Sequence, residues 1–580
     1  MFKRLIACLL TFCLVACGQA SSPPATDFDT FIQESTVTLL DGTTHFNMQF
    51  LVNDCEALGV AKPTTYGVGF TTYEEYQEIM TTYQEILDEL NKYDYDTLSD
   101  KQQRVYTNLK DYLSRELLLK DDYYFSNALI GSYSALQQEI PLTLSLYTIQ
   151  DEEDIQGFIK DVQALDADFQ DYVELEKTRQ EMGLGYAQDV LDKSQSQALT
   201  IAEGQGQEIT QSIQAKIDLI EDMDTATKES YKQQVSQVMS EDYTQAYQHL
   251  ADSLDTIQAT QSETMGVSHY EGGKDYYADI VQNQLGVKAT PDEIAKEISQ
   301  AQDDAFQNLL QIALSYQDLI MTEDYTNIEY QEAPTPEAGL DYLKTKITGV
   351  FPSIDNLNYQ VYTVPEGNRD GFAPAAYLTG KIDMGENESE SIMINPDSQG
   401  NLMSTLVHEG YPGHMYQNSY LRSLDYPAIM YLTDCIGYSE GWAIYTESYT
   451  AEFLEDETEK ALTMIAQAET DYTNLLLAYT DVQINQNGWT YDQFYDYLCE
   501  EIGGDVGDVK EIYDIICQTP GYYLYYVYCG YLMTSYHDEA VEKLGDQFDP
   551  ISYHQAILDS GNVGLDIVKE NVDAYIEANQ

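Results

Sequence analysis

From about residue 70 to 320 the apolar positions recur at intervals of three and four, as in YEEYQEIMTTYQEILDELNKY (73–93) and IQAKIDLIEDMDTATKESYKQQVSQVM (213–239). That period predicts long amphipathic helices. Proline is scarce there, and Pro141 and Pro291, the main breaks, each fall where a helix could begin. Between about 345 and 400 the pattern changes to short β-type runs among Pro, Gly and Asn, in PSIDNLNYQVYTVPEGN, FAPAAYLTG and ESIMINPDSQG. A small strand-and-loop insert is expected there. The helical period resumes at Asn401 and runs almost to the C-terminus, with breaks near Gly503–Gly507 and at Pro520-Gly521. The expected fold is mainly α with a small β insert, a single domain over 31–580 in which 31–270 precedes a second part, 271–580.

The N-terminus departs from this pattern. Lys3 and Arg4 precede LIACLLTFCLVA, which ends at Cys17-Gly18. A basic start followed by a short apolar run is a secretory signal. Leu14-Val15-Ala16-Cys17 has the form of a bacterial lipobox, which makes residues 1–17 a lipoprotein signal peptide and Cys17 the lipidated residue. QASSPPATD then begins a flexible tether over 18–30. The expected location is the cell membrane, lipid-anchored and facing the extracytoplasmic side, since no second long apolar run follows.

The chain carries 99 acidic against 28 basic residues, a net charge of −71, spread along its whole length. Such a field excludes nucleic acid and anionic lipid surfaces as partners and otherwise reads as a solvated acidic surface. The 50 tyrosines stand mostly at helix-face positions that Leu could fill, as core or near-surface residues. Cys55, Cys435, Cys499, Cys517 and Cys529 follow no zinc-ligand spacing and read as core residues, with a Cys499–Cys517 disulfide conceivable outside the cytoplasm.

Seven histidines occur in the chain, and two of them fall in LMSTLVHEGYPGHMYQ (402–417), where an apolar helical run delivers His408-Glu409 and then His414. Neutral imidazole is a good zinc ligand, and the adjacent Glu can take a proton from water and return it to a leaving group. His414 lies six residues from His408, about 120° round an ideal helix. Pro412 removes a donor and Gly413 permits unusual dihedrals, so the helix should end or bulge there and swing His414 back.

The missing third ligand is supplied by Tyr438-Ser-Glu-Gly-Trp-Ala-Ile-Tyr-Thr-Glu447, where Glu440 opens another helix 26 residues after His414. Two His and one Glu leave a fourth zinc position open, as a catalytic site requires. Glu447 shares a face with Glu440, where it either orients a ligand histidine or is simply solvated. Farther on, Pro520-Gly-Tyr-Tyr-Leu-Tyr-Tyr-Val-Tyr-Cys-Gly530 offers a phenol to a developing oxyanion. Tyr526 is the first choice there, and Tyr522, Tyr523 and Tyr528 are rivals.

These residues resemble the bacterial domain-of-unknown-function 885 family, whose members carry His-Glu-x-x-Pro-Gly-His and a downstream Glu-Gly-Trp-Ala-x-Tyr-x-Glu. The likeness extends to Gly272–Tyr277, Thr290–Glu293, Ile392–Asn395 and the segment at 520. It implies a large helical zincin-like fold of gluzincin type, His408, His414 and Glu440 as ligands of one zinc ion, and Glu409 as general base. It also implies that Ile392, Met393, Ile394 and Asn395 form an edge strand that pairs with extended peptide substrate. The chain departs from the family by one extra residue in the aromatic segment and by Met415, where many relatives have a second His.

The expected function is a zinc-dependent hydrolase, a metallopeptidase acting on peptides outside the membrane. The competing readings are a non-catalytic surface lipoprotein that captures peptides on a zincin scaffold, and a zinc hydrolase of non-peptide amides. The oligomeric state is not encoded in any recognisable pattern.

Overall fold

Several helices begin where side chains satisfy the first free amides. Thr72 with Glu75, Ser99 with Gln102, Thr290 with Glu293 and Thr490 with Gln493 form reciprocal capping boxes. The computed structural model describes residues 24, 26–355, 357–364, 369, 373–385, 388–398 and 400–580. The leader, its lipobox and Cys17 lie outside the described residues. Asp27 caps the first helix, α1 (Phe28–Leu40), which buries Phe28 and Phe31. The expected tether over 18–30 is therefore too long, because its last three residues belong to this helix.

The N-terminal part is built on α2 (Leu136–Leu146), the long α3 (Glu152–Met182) and α4 (Thr244–Leu254), whose apolar faces share one cluster from Phe46 to Ile257. Pro141 does not begin a helix; it sits inside α2. The amide that proline lacks would have bonded the Gln137 carbonyl. The Tyr247 hydroxyl of α4 donates to that carbonyl instead, at 2.8 Å. This substitute donor lets the helix run through the proline.

The second part holds the larger cluster, almost all of it between Val267 and Ile576. Pro291 opens α5 (Pro291–Ser315) at its first turn, as expected. The insert forms three strands, β1 (Tyr359–Thr363), β2 (Ala375–Leu378) and β3 (Glu390–Ile394), in the order β1-β3-β2. β3 runs parallel to β1, with Val361 opposite Ile392, and antiparallel to β2, with Tyr377 opposite Ile392.

After the sheet come α6 (Leu402–Glu409), α7 (His414–Ser423), α8 (Ile436–Glu447) and α9 (Glu457–Asn485). A π-helical turn, Leu524–Tyr528, leads into α10 (Cys529–Leu544). The helix α6 packs on both β2 and α8, and α8 packs on the π turn and α10. Close approach of α8 requires Gly441, since a Cβ there would stand 2.8 Å from Cys529 Cβ. All five cysteines of the described chain carry free thiols, so Cys499 and Cys517 are not joined. Among the described residues no helix is long and apolar enough to cross a membrane.

Candidate metal centre

The chain leaves α6 by an unusual turn. The amides of Gly410 and Tyr411 both bond the Leu406 carbonyl, and Gly413 reaches back to the Val407 carbonyl at 2.9 Å, six residues earlier. This wide turn adds two residues to the usual four and restores His414 to the side of His408. A Cβ at Gly413 would overlap the His408 carbonyl, so only glycine fits. The Trp442 indole, fully buried on α8, donates to the Pro412 carbonyl at 2.9 Å and fastens the turn to the helix that carries Glu440.

The structure brings His408, His414 and Glu440 together, with one donor atom from each within 4.8 Å of the others. The Glu440 Oε2 atom lies 3.5 Å from His408 Nε2 and 3.4 Å from His414 Nε2. The two rings stand nearly perpendicular, at 84°. Glu440 Oε2 is buried and has no hydrogen-bond partner. Burial pushes the Glu440 carboxyl up, but the two imidazoles outweigh it and hold it at about 2. Burial would likewise lower the His408 pKa, yet Glu440 and Glu447 at its two nitrogens raise it well above the usual value.

A metal ion is the group these residues fit. Two donors on one tetrahedral zinc, each about 2.0–2.1 Å from the ion, stand roughly 3.3–3.4 Å apart. The observed nitrogen-to-carboxylate separations match that spacing, and the orphaned Oε2 would gain its partner. His408 Nδ1 faces Glu447 Oε1 at 2.7 Å, the carboxylate–histidine pairing that fixes a ligand's tautomer. Ser439 Oγ lies 3.4 Å from His414 Nδ1.

Glu409 follows His408 on α6, its Oε1 4.0 Å from His408 Nε2. The Tyr377 backbone amide of β2 donates to Glu409 Oε2 at 2.7 Å and orients the carboxylate. Ile392–Asn395 is therefore not the edge expected of it. β3 is the central strand, paired on both sides, and Ile392 and Met393 are buried. The strand beside α6 is β2, whose outward-facing amide meets Glu409. Its position is secured from β3 by Glu390, which accepts from Tyr377 Oη at 2.7 Å and pairs with Arg422.

The aromatic segment divides. Tyr528 turns away and donates to Glu297 Oε2 at 2.6 Å, and burial, with smaller contributions from Tyr133 and Asp481, raises the Tyr523 pKa to about 12. Burial above all raises the pKa values of Tyr522, Tyr525 and Tyr526; the Glu440 carboxylate adds to each, ranking directly after burial at Tyr526, where Glu409 contributes as well. Sequence reasoning passed over Tyr525 and the fastening role of Trp442. The π turn that presents Tyr525 has no local signature, while Trp442 stood in plain view beside Glu440.

A family of bacterial proteins of unknown function, DUF885, matches residues 58–572. No curated protein matches the sequence. Two solved structures, each described as a "putative lipoprotein", are similar in fold. The one from Colwellia psychrerythraea superposes with a TM-score of 0.81 at 16% identity, over 95% of this chain and 99% of the other. The one from Shewanella oneidensis, of unknown function, gives 0.61 at 12% identity, over 94% and 99%.

Proposed function

We propose that this chain, which belongs to the DUF885 family of bacterial proteins of unknown function, is a zinc-dependent hydrolase of peptide bonds held outside the cytoplasm by a lipid on Cys17. The observation that carries the reading is the convergence of two imidazoles on one buried, otherwise unpartnered carboxylate oxygen, with a second carboxylate beside them. Zinc bound there supplies Lewis acidity toward water and the substrate carbonyl.

The remaining chemistry belongs to the chain's own residues. His408, His414 and Glu440 are the ligands, and Glu447 holds His408 with Nε2 directed inward. Glu409, oriented by the Tyr377 amide, accepts a proton from the attacking water and returns it to the leaving amine. Tyr526, in the field of both Glu440 and Glu409, donates to the oxyanion. The rest of the outer edge of β2, beyond the Tyr377 amide that Glu409 occupies, is the surface for an extended peptide. A catalytic role is favoured over simple peptide capture by Glu409, since binding alone needs no oriented carboxylate beside the ligands.

The test is a peptide-library digest read by mass spectrometry. Cleavage should disappear on chelation and return with zinc. Cleavage that persists in chelator, or none with zinc bound, rejects the peptidase reading.

A further inference from the structure

A loop from the N-terminal part reaches the aromatic segment that packs on the helix of Glu440. Residues Gly131 and Ser132 are held on every side: the Gly131 carbonyl accepts from Gln137 Nε2 and Ser194 Oγ, both at 2.7 Å, and the Ser132 carbonyl accepts from Gln197 Nε2 at 2.9 Å. The Ser132 amide and hydroxyl both donate to Gln518 Oε1, at 2.9 and 3.1 Å. Gln518 stands just before the Pro520–Tyr528 segment, so one side chain ties the loop to the aromatic turn. Ser134, with φ +43°, completes the bend. This fixed loop presents Tyr133, which remains half-buried although its neighbours Gly131 and Ser132 are buried.

Tyr133 meets Tyr522 edge-on, with centroids 6.3 Å apart at 87°. Tyr522 in turn lies 5.5 Å from Tyr525 and 5.1 Å from Tyr526, and those two rings are 5.0 Å apart. All four rings are half-buried. The Tyr525 and Tyr526 hydroxyls have no hydrogen-bond partner among the described residues. The π turn that carries them packs directly on α8, the helix of Glu440. π turns are rare and are found frequently at functional sites. A pure packing role would bury these rings and pair their hydroxyls, as happens at Tyr247 and Tyr528.

We propose that Tyr133, Tyr522, Tyr525 and Tyr526 form the wall of a substrate subsite for a neutral aromatic side chain next to the scissile bond, with Tyr133 the specificity-determining residue. The occupant is aromatic because four ring faces and edges offer offset and edge-to-face partners. It is not acidic, because the Glu440 carboxylate acts on Tyr522, Tyr525 and Tyr526 and Glu409 on Tyr526, and both repel a carboxylate. The proposal rests on the reading of the centre as a peptidase site, and it makes the N-terminal part a contributor to selectivity.

Binding tests it without turnover. The 19F line widths of N-trifluoroacetyl-phenylalaninamide, and of its alanine and glutamate analogues, are titrated with the full chain. The wild type should hold the phenylalanine probe about tenfold tighter than the alanine probe and show no glutamate binding. Tyr133→Ala should abolish the preference with metal content unchanged, Tyr133→Phe should keep it, and Tyr525→Ala should weaken it, which guards against a local misfold in any one variant. Equal affinity for all three probes, or a preference that survives both alanine variants, overturns the proposal. A phenylalanine preference without peptide cleavage leaves the subsite standing and removes the hydrolase reading alone.

Discussion

The Trp442 indole N–H donates to the Pro412 carbonyl at 2.9 Å, so the turn that carries His414 back to His408 is fastened to the helix bearing Glu440. Two stretches 30 residues apart in the chain thus share one bond, and the positions of two ligands depend on it. Replacing Trp442 with Phe removes the donor and leaves a buried carbonyl unpaired, at a cost of about 1–3 kcal/mol. Urea unfolding should register that loss, and zinc titration should show weaker binding in the same variant. Unchanged zinc affinity would mean that the turn holds itself.

Glu447 is expected to act through His408. Its carboxylate at 2.7 Å fixes the ring and raises its basicity as a ligand. Glu447→Ala should weaken zinc binding by about 10–100-fold while the chain stays folded. Competition against a chromophoric chelator reads this directly, and equal affinities would reduce Glu447 to a solvated helix residue.

His554 sets a pH dependence of stability. It is fully buried, stacked on Phe351 with centroids 4.1 Å apart. Its Nδ1 donates to the Val350 carbonyl and its Nε2 pairs with the Tyr445 hydroxyl. Burial lowers its pKa to about 3. The folded state therefore keeps the ring neutral while the unfolded chain protonates it below about pH 6.5, and stability falls as pH falls from 6.5 towards 3. Between pH 6 and 4.5 the wild type should lose about 2 kcal/mol more than His554→Gln, at about 1.4 kcal/mol per pH unit. Parallel profiles for the two proteins would show that the ring is not held neutral.

Tyr247 and Pro141 should be energetically coupled. Tyr247→Phe strips the Gln137 carbonyl of its only replacement donor, which costs about 1–3 kcal/mol. In a Pro141→Ala background the helix supplies its own amide, and the same substitution should cost far less. A double-mutant cycle in denaturant measures the difference. Additive effects would mean that the proline is tolerated for another reason.

These cases mark where sequence reading succeeds and where it stops. Helices with a steady three-and-four period and a capping residue, such as Thr290–Ser315, are local properties and can be read locally. So can His408, Glu409 and Glu440, because rare residue types stand close together in a chemically sensible order. Strand order is different. Nothing in ESIMI says that both its neighbours lie within the insert, and the buried character that marks a substrate edge also marks the centre of a small sheet. Pro141 misleads because its remedy, Tyr247, lies 106 residues away in sequence. The true end of the tether is legible in Asp27, an N-cap directly ahead of Phe28. Tyr133 could not be suspected at all, since only tertiary packing brings it to Tyr522.

The central claim is that His408, His414 and Glu440 hold zinc while Glu409 handles the proton. Glu409→Gln separates the two roles, because the substituted amide can still accept from the Tyr377 backbone but cannot take a proton from water. Zinc content and peptide cleavage measured on the same preparation of this variant decide the matter. The account predicts about one zinc per chain, as in the wild type, with cleavage reduced by a factor of about 100 or more. Cleavage at the wild-type rate with zinc in place would contradict it.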